Sequence, residues 1–169
     1  MKLYHGTNVT FENFDNKFIG TSSSIDQYGS GFYFFDNPDD TRGYGDITVT
    51  VEAEINKPIL WENREKYLLT RSIVKKLISV CPDLKDKLSN FGDIEWEGYN
   101  SVLKTAIDSY VDMNVIDGLN AIGNDFFDFE DTHILLSKFV KETGYNAIID
   151  TTTGIYVILT VNQIKIIKD

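Results

Sequence analysis

The nine residues Ile47-Thr48-Val49-Thr50-Val51-Glu52-Ala53-Glu54-Ile55 alternate apolar and polar without a break. Successive side chains of a strand point to opposite faces, so this period of two predicts a strand over 47–55 with one buried and one wetter face. On its N-terminal side, Phe32-Tyr33-Phe34-Phe35 is a second extended run, led in by Gly29-Ser30-Gly31 and closed by Asp36-Asn37-Pro38. Proline there opens a short helix that reaches about Tyr44. Residues 2–5 form a third short strand, and Gly6-Thr7 after it lets the backbone approach a ligand closely. Between these strands, Phe11, Phe14, Phe18 and Ile19 read as loop or short-helix anchors, and 20–24 as a small polar loop.

On the C-terminal side the period changes. Leu69, Ile73, Leu77 and Val80 recur at helical spacing, as do Val102, Leu103, Ala106, Ile107, Tyr110 and Val111, which predicts helices over 65–80 and about 97–116. A further helix over about 131–142 stops at Gly144. Extended patterns return at 147–150, 155–160 and 164–167, the last two as a pair or as one bent strand. Strands, a helical block and strands again define an α+β class.

A chain of 169 residues with 42% apolar content can bury one core. The expectation is one domain over 1–169, with a helical insertion over about 62–142 that packs beside the ligand cleft and selects the partner. Acidic residues outnumber basic ones 26 to 16, for a net charge of −10, which argues against a nucleic-acid partner. No stretch approaches the roughly 18 apolar residues of a membrane span, so a soluble, cytoplasmic protein without a membrane partner is expected. Two histidines and the single Cys81 make no spaced metal site, and Cys81 reads as a small buried hydrophobe. Nothing in the composition sets an oligomeric state.

Several separated pieces share one pattern. Leu3-Tyr4-His5-Gly6-Thr7, Gly29-x-Gly31-Phe32-Tyr33-Phe34-x-Asp36, Thr41-x-x-Tyr44-Gly45, Gly144-Tyr145-Asn146-Ala147-Ile148-Ile149-Asp150 and Val161-Asn162-Gln163-Ile164-Lys165 together resemble the ADP-ribosyltransferase superfamily. The branch is that of the poly(ADP-ribose) polymerases and of the ADP-ribosyltransferase domains of phage and mobile-element proteins. The resemblance implies a split β-sheet core around an NAD cleft, with NAD as co-substrate. Breaking the bond between nicotinamide and ribose builds positive charge on the ribose, so the ring must be held flat and the hydroxyls oriented. By resemblance, Tyr33 and Tyr44 hold the ring, the Gly6 backbone and the Thr41 hydroxyl pair with its carboxamide, Thr7 adjoins them, and His5 bonds a ribose hydroxyl.

His5, Tyr33 and Asp150 are thus the catalytic candidates. Ile155 lines the site where relatives commonly carry a glutamate, eight residues before Gln163. An apolar residue there implies a single ADP-ribose transferred to a protein in trans rather than chain elongation, as in a phage-encoded or toxin-type effector. A catalytically silent NAD- or ADP-ribose-binding or partner-blocking module is the alternative, and NAD+ hydrolysis or transfer to nucleic acid a third.

Each candidate also has a packing reading. His5 can be a satisfied structural histidine, Tyr33 a core aromatic, and Thr41 a residue of the short helix. Asp150 can open the 151–154 turn, and Gln163 can cap sheet backbone groups. His133 reads as a surface residue at a helix start, and Arg71, Lys75 and Lys76 as a solvated helical face.

Overall fold

The computed structural model describes residues 1–19 and 28–167, so the loop expected over 20–24 lies outside the described residues. The architecture is mixed α+β, with two compact units: Met1–Asn63 together with Gly144–Asp169, and Arg64–Thr143.

The first unit is built on a seven-stranded sheet of order β4-β5-β6-β2-β1-β3-β7. Its strands are β1 (Lys2–Thr7), β2 (Phe32–Phe35), β3 (Ile47–Ala53), β4 (Pro58–Leu60), β5 (Ala147–Asp150), β6 (Ile155–Ile158) and β7 (Ile164–Ile166). All neighbours are antiparallel except β4 and β5. In β3 the alternation buries Val51 and Ala53 and leaves Thr48 and Glu52 exposed. The strand stops at Ala53, short of Ile55, because the backbone turns there. Asn146 Oδ1 takes the amides of Asn56 and Lys57 at 3.2 and 3.1 Å, and its Nδ2 donates to the Glu54 carbonyl at 3.1 Å. Gln163 Nε2 donates to the Glu54 and Asn146 carbonyls at 2.9 and 3.0 Å, so Gln163 caps backbone at this corner.

Pairing along the sheet is uneven. β1 and β3 are in register at six positions and β2 and β6 at four, whereas β1 and β2 meet only at Tyr4 and Phe35. The sheet is therefore split into β4-β5-β6-β2 and β1-β3-β7, hinged on one residue pair.

The second unit is helical: α1 (Arg71–Ile78), α2 (Leu84–Leu88), α3 (Ile94–Glu97), α4 (Tyr99–Asp108), α5 (Val115–Phe126) and α6 (Thr132–Thr143). α1 begins later than its period suggests because the Thr70 side chain accepts from the Ile73 amide and caps it. The helix expected over about 97–116 is shorter, Tyr99–Asp108, and a second helix, α5, begins at Val115. Asp112 takes a left-handed conformation (φ 67°) between them, and Asn114 caps α5 by accepting from the Asp117 amide at 3.1 Å. Gly118 lies in α5 where a Cβ would strike Leu69, so the glycine that lowers helix propensity is what lets that loop pack. Cys81 is buried, with Sγ 2.9 Å from the Phe126 carbonyl. Arg71 pairs with Asp108, and Lys76 with Glu142. His133 Nδ1 lies 2.8 Å from the Glu130 carbonyl at the start of α6. No helix among the described residues is long and apolar enough to cross a membrane.

Candidate active site

Residues paired directly across strands project to the same face, so register sorts the candidates. Tyr4, Phe35, Ile155 and Asp150 form a row across four strands, from β1 to β5. Tyr33 and Val157 share that face. Phe34 and Tyr156 share the other, and His5, one residue beyond Tyr4, joins them.

The first face is covered by a 3₁₀ turn over Pro38–Gly43. The Asn37 side chain accepts from the Asp39 amide at 3.1 Å and Pro38 begins the turn, as an N-cap and a proline at N1 dictate. Gly6 is why the turn can close on β1: a Cβ there would collide with the Thr41 carbonyl and sit 2.9 Å from Tyr44 Cβ. The turn delivers Tyr44, half exposed at 50%, against Phe35 with ring centroids 5.0 Å apart. Thr41 is fully buried. Its hydroxyl donates to the Pro38 carbonyl at 2.7 Å and accepts from Thr48 Oγ1 at 2.7 Å, so its one proton is already used. Thr7 is buried and exchanges 3.2 Å bonds with the Val9 backbone.

Tyr33 is half-buried, and its hydroxyl donates to the Gly29 carbonyl at 2.7 Å, which ties the ring back to the segment leading into β2. His5 stands where β1 and β2 part. Its Nδ1 lies 2.9 Å from the Tyr33 carbonyl, and its ring sits among Phe11, Phe14 and Phe34 at centroid distances of 6.1, 5.3 and 5.6 Å. A carbonyl oxygen only accepts, so Nδ1 carries the proton and Nε2 is an acceptor in the neutral ring. Burial pushes the imidazole below its ordinary pKa, and the bond to Tyr33 offsets this only in part. A neutral Nε2 is suited to receive a hydroxyl proton.

Asp150 is buried and fully engaged. Oδ2 accepts from the Tyr28 hydroxyl at 2.7 Å, and Oδ1 accepts from the Thr152 amide, the Thr152 hydroxyl and the Thr153 amide at 2.9, 2.6 and 3.3 Å. Burial works to raise its pKa, but the bonds from Thr152, Tyr28 and Thr153 outweigh it and hold the carboxyl well below the usual carboxylate range. It opens the 151–154 turn, which closes at Gly154 in a left-handed conformation (φ 69°). A Cβ there would fall 2.5 Å from Asp36 Oδ1.

The structure thus brings Tyr44, Tyr33, Ile155 and Asp150 to one face, with Gly6 beneath the turn that contains Thr41, and sets His5 at the split on the other. It adds four neighbours that the residue pattern did not single out. Phe35 is the floor under Tyr44, and period-two alternation from Tyr33 is the signal that could have found it. Tyr28 meets Trp61 edge to face at 4.7 Å, and Glu62 accepts from the Thr151 amide and hydroxyl at 2.7 and 2.5 Å. Those bonds hold the Glu62 carboxyl below its ordinary value. No local pattern announces these partners. Among the described residues, no group of three or more His, Cys, Asp or Glu is arranged to hold a metal ion.

A seven-stranded sheet with several helices is consistent with the mixed α+β architecture of an ADP-ribosyltransferase domain. The family of ADP-ribosyltransferases in polyvalent proteins matches residues 1–169, and the chain belongs to it. Domains of this class transfer ADP-ribose and use NAD as co-substrate. No curated protein and no solved structure matches the chain.

The residues present fit NAD in part. The half-exposed Tyr44 ring, tilted 39° against the buried Phe35, offers an aromatic face for a nicotinamide ring, and Gly6 lets the turn that carries it close on β1. The polar groups fit less well, because the Thr41 hydroxyl is spent internally, Asp150 has four donors, and Ile155 contributes no carboxylate.

Proposed function

We propose that this domain transfers a single ADP-ribose from NAD+ to a protein acceptor in trans, in the cytoplasm, as a phage-encoded or toxin-type effector. Nicotinamide leaves as its bond to the ribose breaks, and the acceptor's nucleophile forms the new bond to the same carbon. Tyr44 and Tyr33 hold the ring above Phe35, Gly6 lets the turn that carries Tyr44 close on β1, and His5 Nε2 accepts from a ribose hydroxyl that reaches the opposite face through the split between β1 and β2. Thr7 and Thr41 hold the walls of the site rather than the ligand. The observation that carries the reading is Ile155. It stands in register beside Phe35, so the aromatic face is bordered by an aliphatic side chain where elongation of a chain would call for a carboxylate to activate the next hydroxyl. Net charge of −10 supports a protein acceptor over a nucleic acid.

One observation favours a second reading. Asp150, the cross-strand partner of Ile155, and Thr41, in the turn before Tyr44, are both committed to the fold, as they would be in a silent NAD-binding module. Incubation of the full chain with NAD+ and a cell lysate separates the two. The transferase reading predicts nicotinamide release and single ADP-ribose increments in the intact mass of acceptor proteins. Saturable NAD+ binding with neither product supports the silent module.

A further inference from the structure

Trp96 is 89% exposed in the helical unit, a large apolar side chain in water where tryptophan is ordinarily covered. The turn that carries it is ordered. Asp93 Oδ1 accepts from the Glu95 and Trp96 amides at 2.9 and 3.2 Å, and Glu97 Oε1 accepts from the Asp93 amide at 3.0 Å, a reciprocal cap that fixes the start of α3. Phe91, just before it, stacks on Phe126 at 5.2 Å and 10°, which ties this segment to the end of α5. From that same stack the chain runs on to a second exposed aromatic, Phe129 at 50%.

The charge beside Trp96 is uncompensated. Between Lys87 and Lys138 the sequence carries ten carboxylates and a single basic residue, Lys104. Lys104 is itself paired with Asp108. Among the described residues Asp93, Glu95 and Glu97 have no cationic partner, whereas Asp108, Asp128 and Glu142 each do. An exposed indole bordered by unpaired carboxylates attracts one chemistry. A guanidinium or ammonium stacks on the ring face and donates to the carboxylates at its edge, while an anionic or purely apolar partner would leave the charges opposed or desolvated. We propose that the Trp96 face of the helical unit is a docking surface for an arginine- or lysine-rich segment of another protein. This surface is independent of the chemistry assigned to the sheet unit.

The test uses the full chain and a fluorescein-labelled oligoarginine peptide, followed by anisotropy, with oligoglutamate as control. The protein should bind oligoarginine and not oligoglutamate. Trp96→Ala should weaken binding roughly tenfold with its circular dichroism unchanged, because the side chain supports no core. Glu95→Gln should weaken binding and flatten its salt dependence, while Glu52→Gln, which removes the same charge from exposed β3, should leave both unaltered. Equal affinity for Trp96→Ala and the unmodified chain would overturn the proposal. So would equal effects of Glu95→Gln and Glu52→Gln, which would mean attraction to net charge alone. A dimer that Trp96→Ala converts to a monomer would also overturn it, since a second copy would then be the occupant.

Discussion

His5 Nδ1 lies 2.9 Å from the carbonyl oxygen of Tyr33, across the point where β1 and β2 cease to pair. The imidazole thereby occupies a carbonyl that a continuous ladder would have given to a backbone amide. It holds the two halves of the sheet at a defined separation and fixes its own tautomer. Because the ring is buried, its pKa lies below the ordinary value of 6.5. The unfolded chain therefore takes up a proton at a pH where the folded chain does not. The stability this neutral ring contributes is fully present above about pH 6.5 and is lost as pH falls from there through the lower folded value. Urea denaturation at pH 7.5 and 5.5 should show a drop for the native chain and a smaller one for His5→Gln. Stability rising on acidification across this window would mean that the fold favours the charged imidazole.

Asp150→Asn should be costly to the fold, because Tyr28 and the 151–154 turn lose an anionic acceptor in a buried place. The expected loss is on the order of 3 kcal/mol, measured by chemical denaturation. A catalytic Asp150 behaves differently: the variant would keep its stability and lose turnover. The contribution of this group is present above the ordinary aspartate range, near pH 4, and is lost as pH falls below it toward the depressed folded value.

These two residues show what the sequence could and could not reveal. β3 and β2 were legible because alternation and an aromatic run are local signals, and alternation also places Tyr33 and Phe35 on one face. β4 was not legible, since three residues beginning with Pro58 become a strand only by pairing with β5, 89 residues away. α5 was hidden by Gly118 and Gly123, and its first turn was merged with the helix before it because an αL residue such as Asp112 leaves no mark in apolar spacing. His5, Tyr33, Thr41 and Tyr44 were legible as candidates from the residue pattern. Their allegiances were not. Thr41 turns its hydroxyl inward because Thr48, seven residues on, meets it from β3, and Asp150 is saturated by a tyrosine 122 residues earlier in the chain.

Ile155 and Asp150 are direct cross-strand neighbours. Ile155→Glu therefore places a second carboxylate beside a buried ionised one, where like charges oppose each other across about 5 Å. At pH 7 it should be less stable than Ile155→Gln by about 1 kcal/mol or more, and the gap should close as the new glutamate is protonated. Thermal melts of the two variants at pH 7 and pH 5 check this. Equal stability at both values would place residue 155 away from Asp150, contrary to the register.

Gly6→Ala should lower stability by about 1–3 kcal/mol, since the added methyl meets the Thr41 carbonyl and Tyr44 Cβ and the 3₁₀ turn must lift from β1. The same displacement moves Tyr44 off Phe35, so any NAD+ binding should weaken with it. Denaturation together with NAD+ titration reads both effects, and an unchanged midpoint would show that the turn does not close on Gly6.

We propose that the Tyr44 face above Phe35 receives the nicotinamide ring of NAD+. Tyr44 is half exposed and supports little of the core, so Tyr44→Ala should change stability by no more than about 1 kcal/mol while removing one aromatic face. Calorimetric titration of the full chain with NAD+ tests this most directly. Saturable binding by the native chain, weakened roughly tenfold in Tyr44→Ala at an unchanged melting temperature, is the predicted result. No binding by the native chain, or equal affinity in the two proteins, would contradict it.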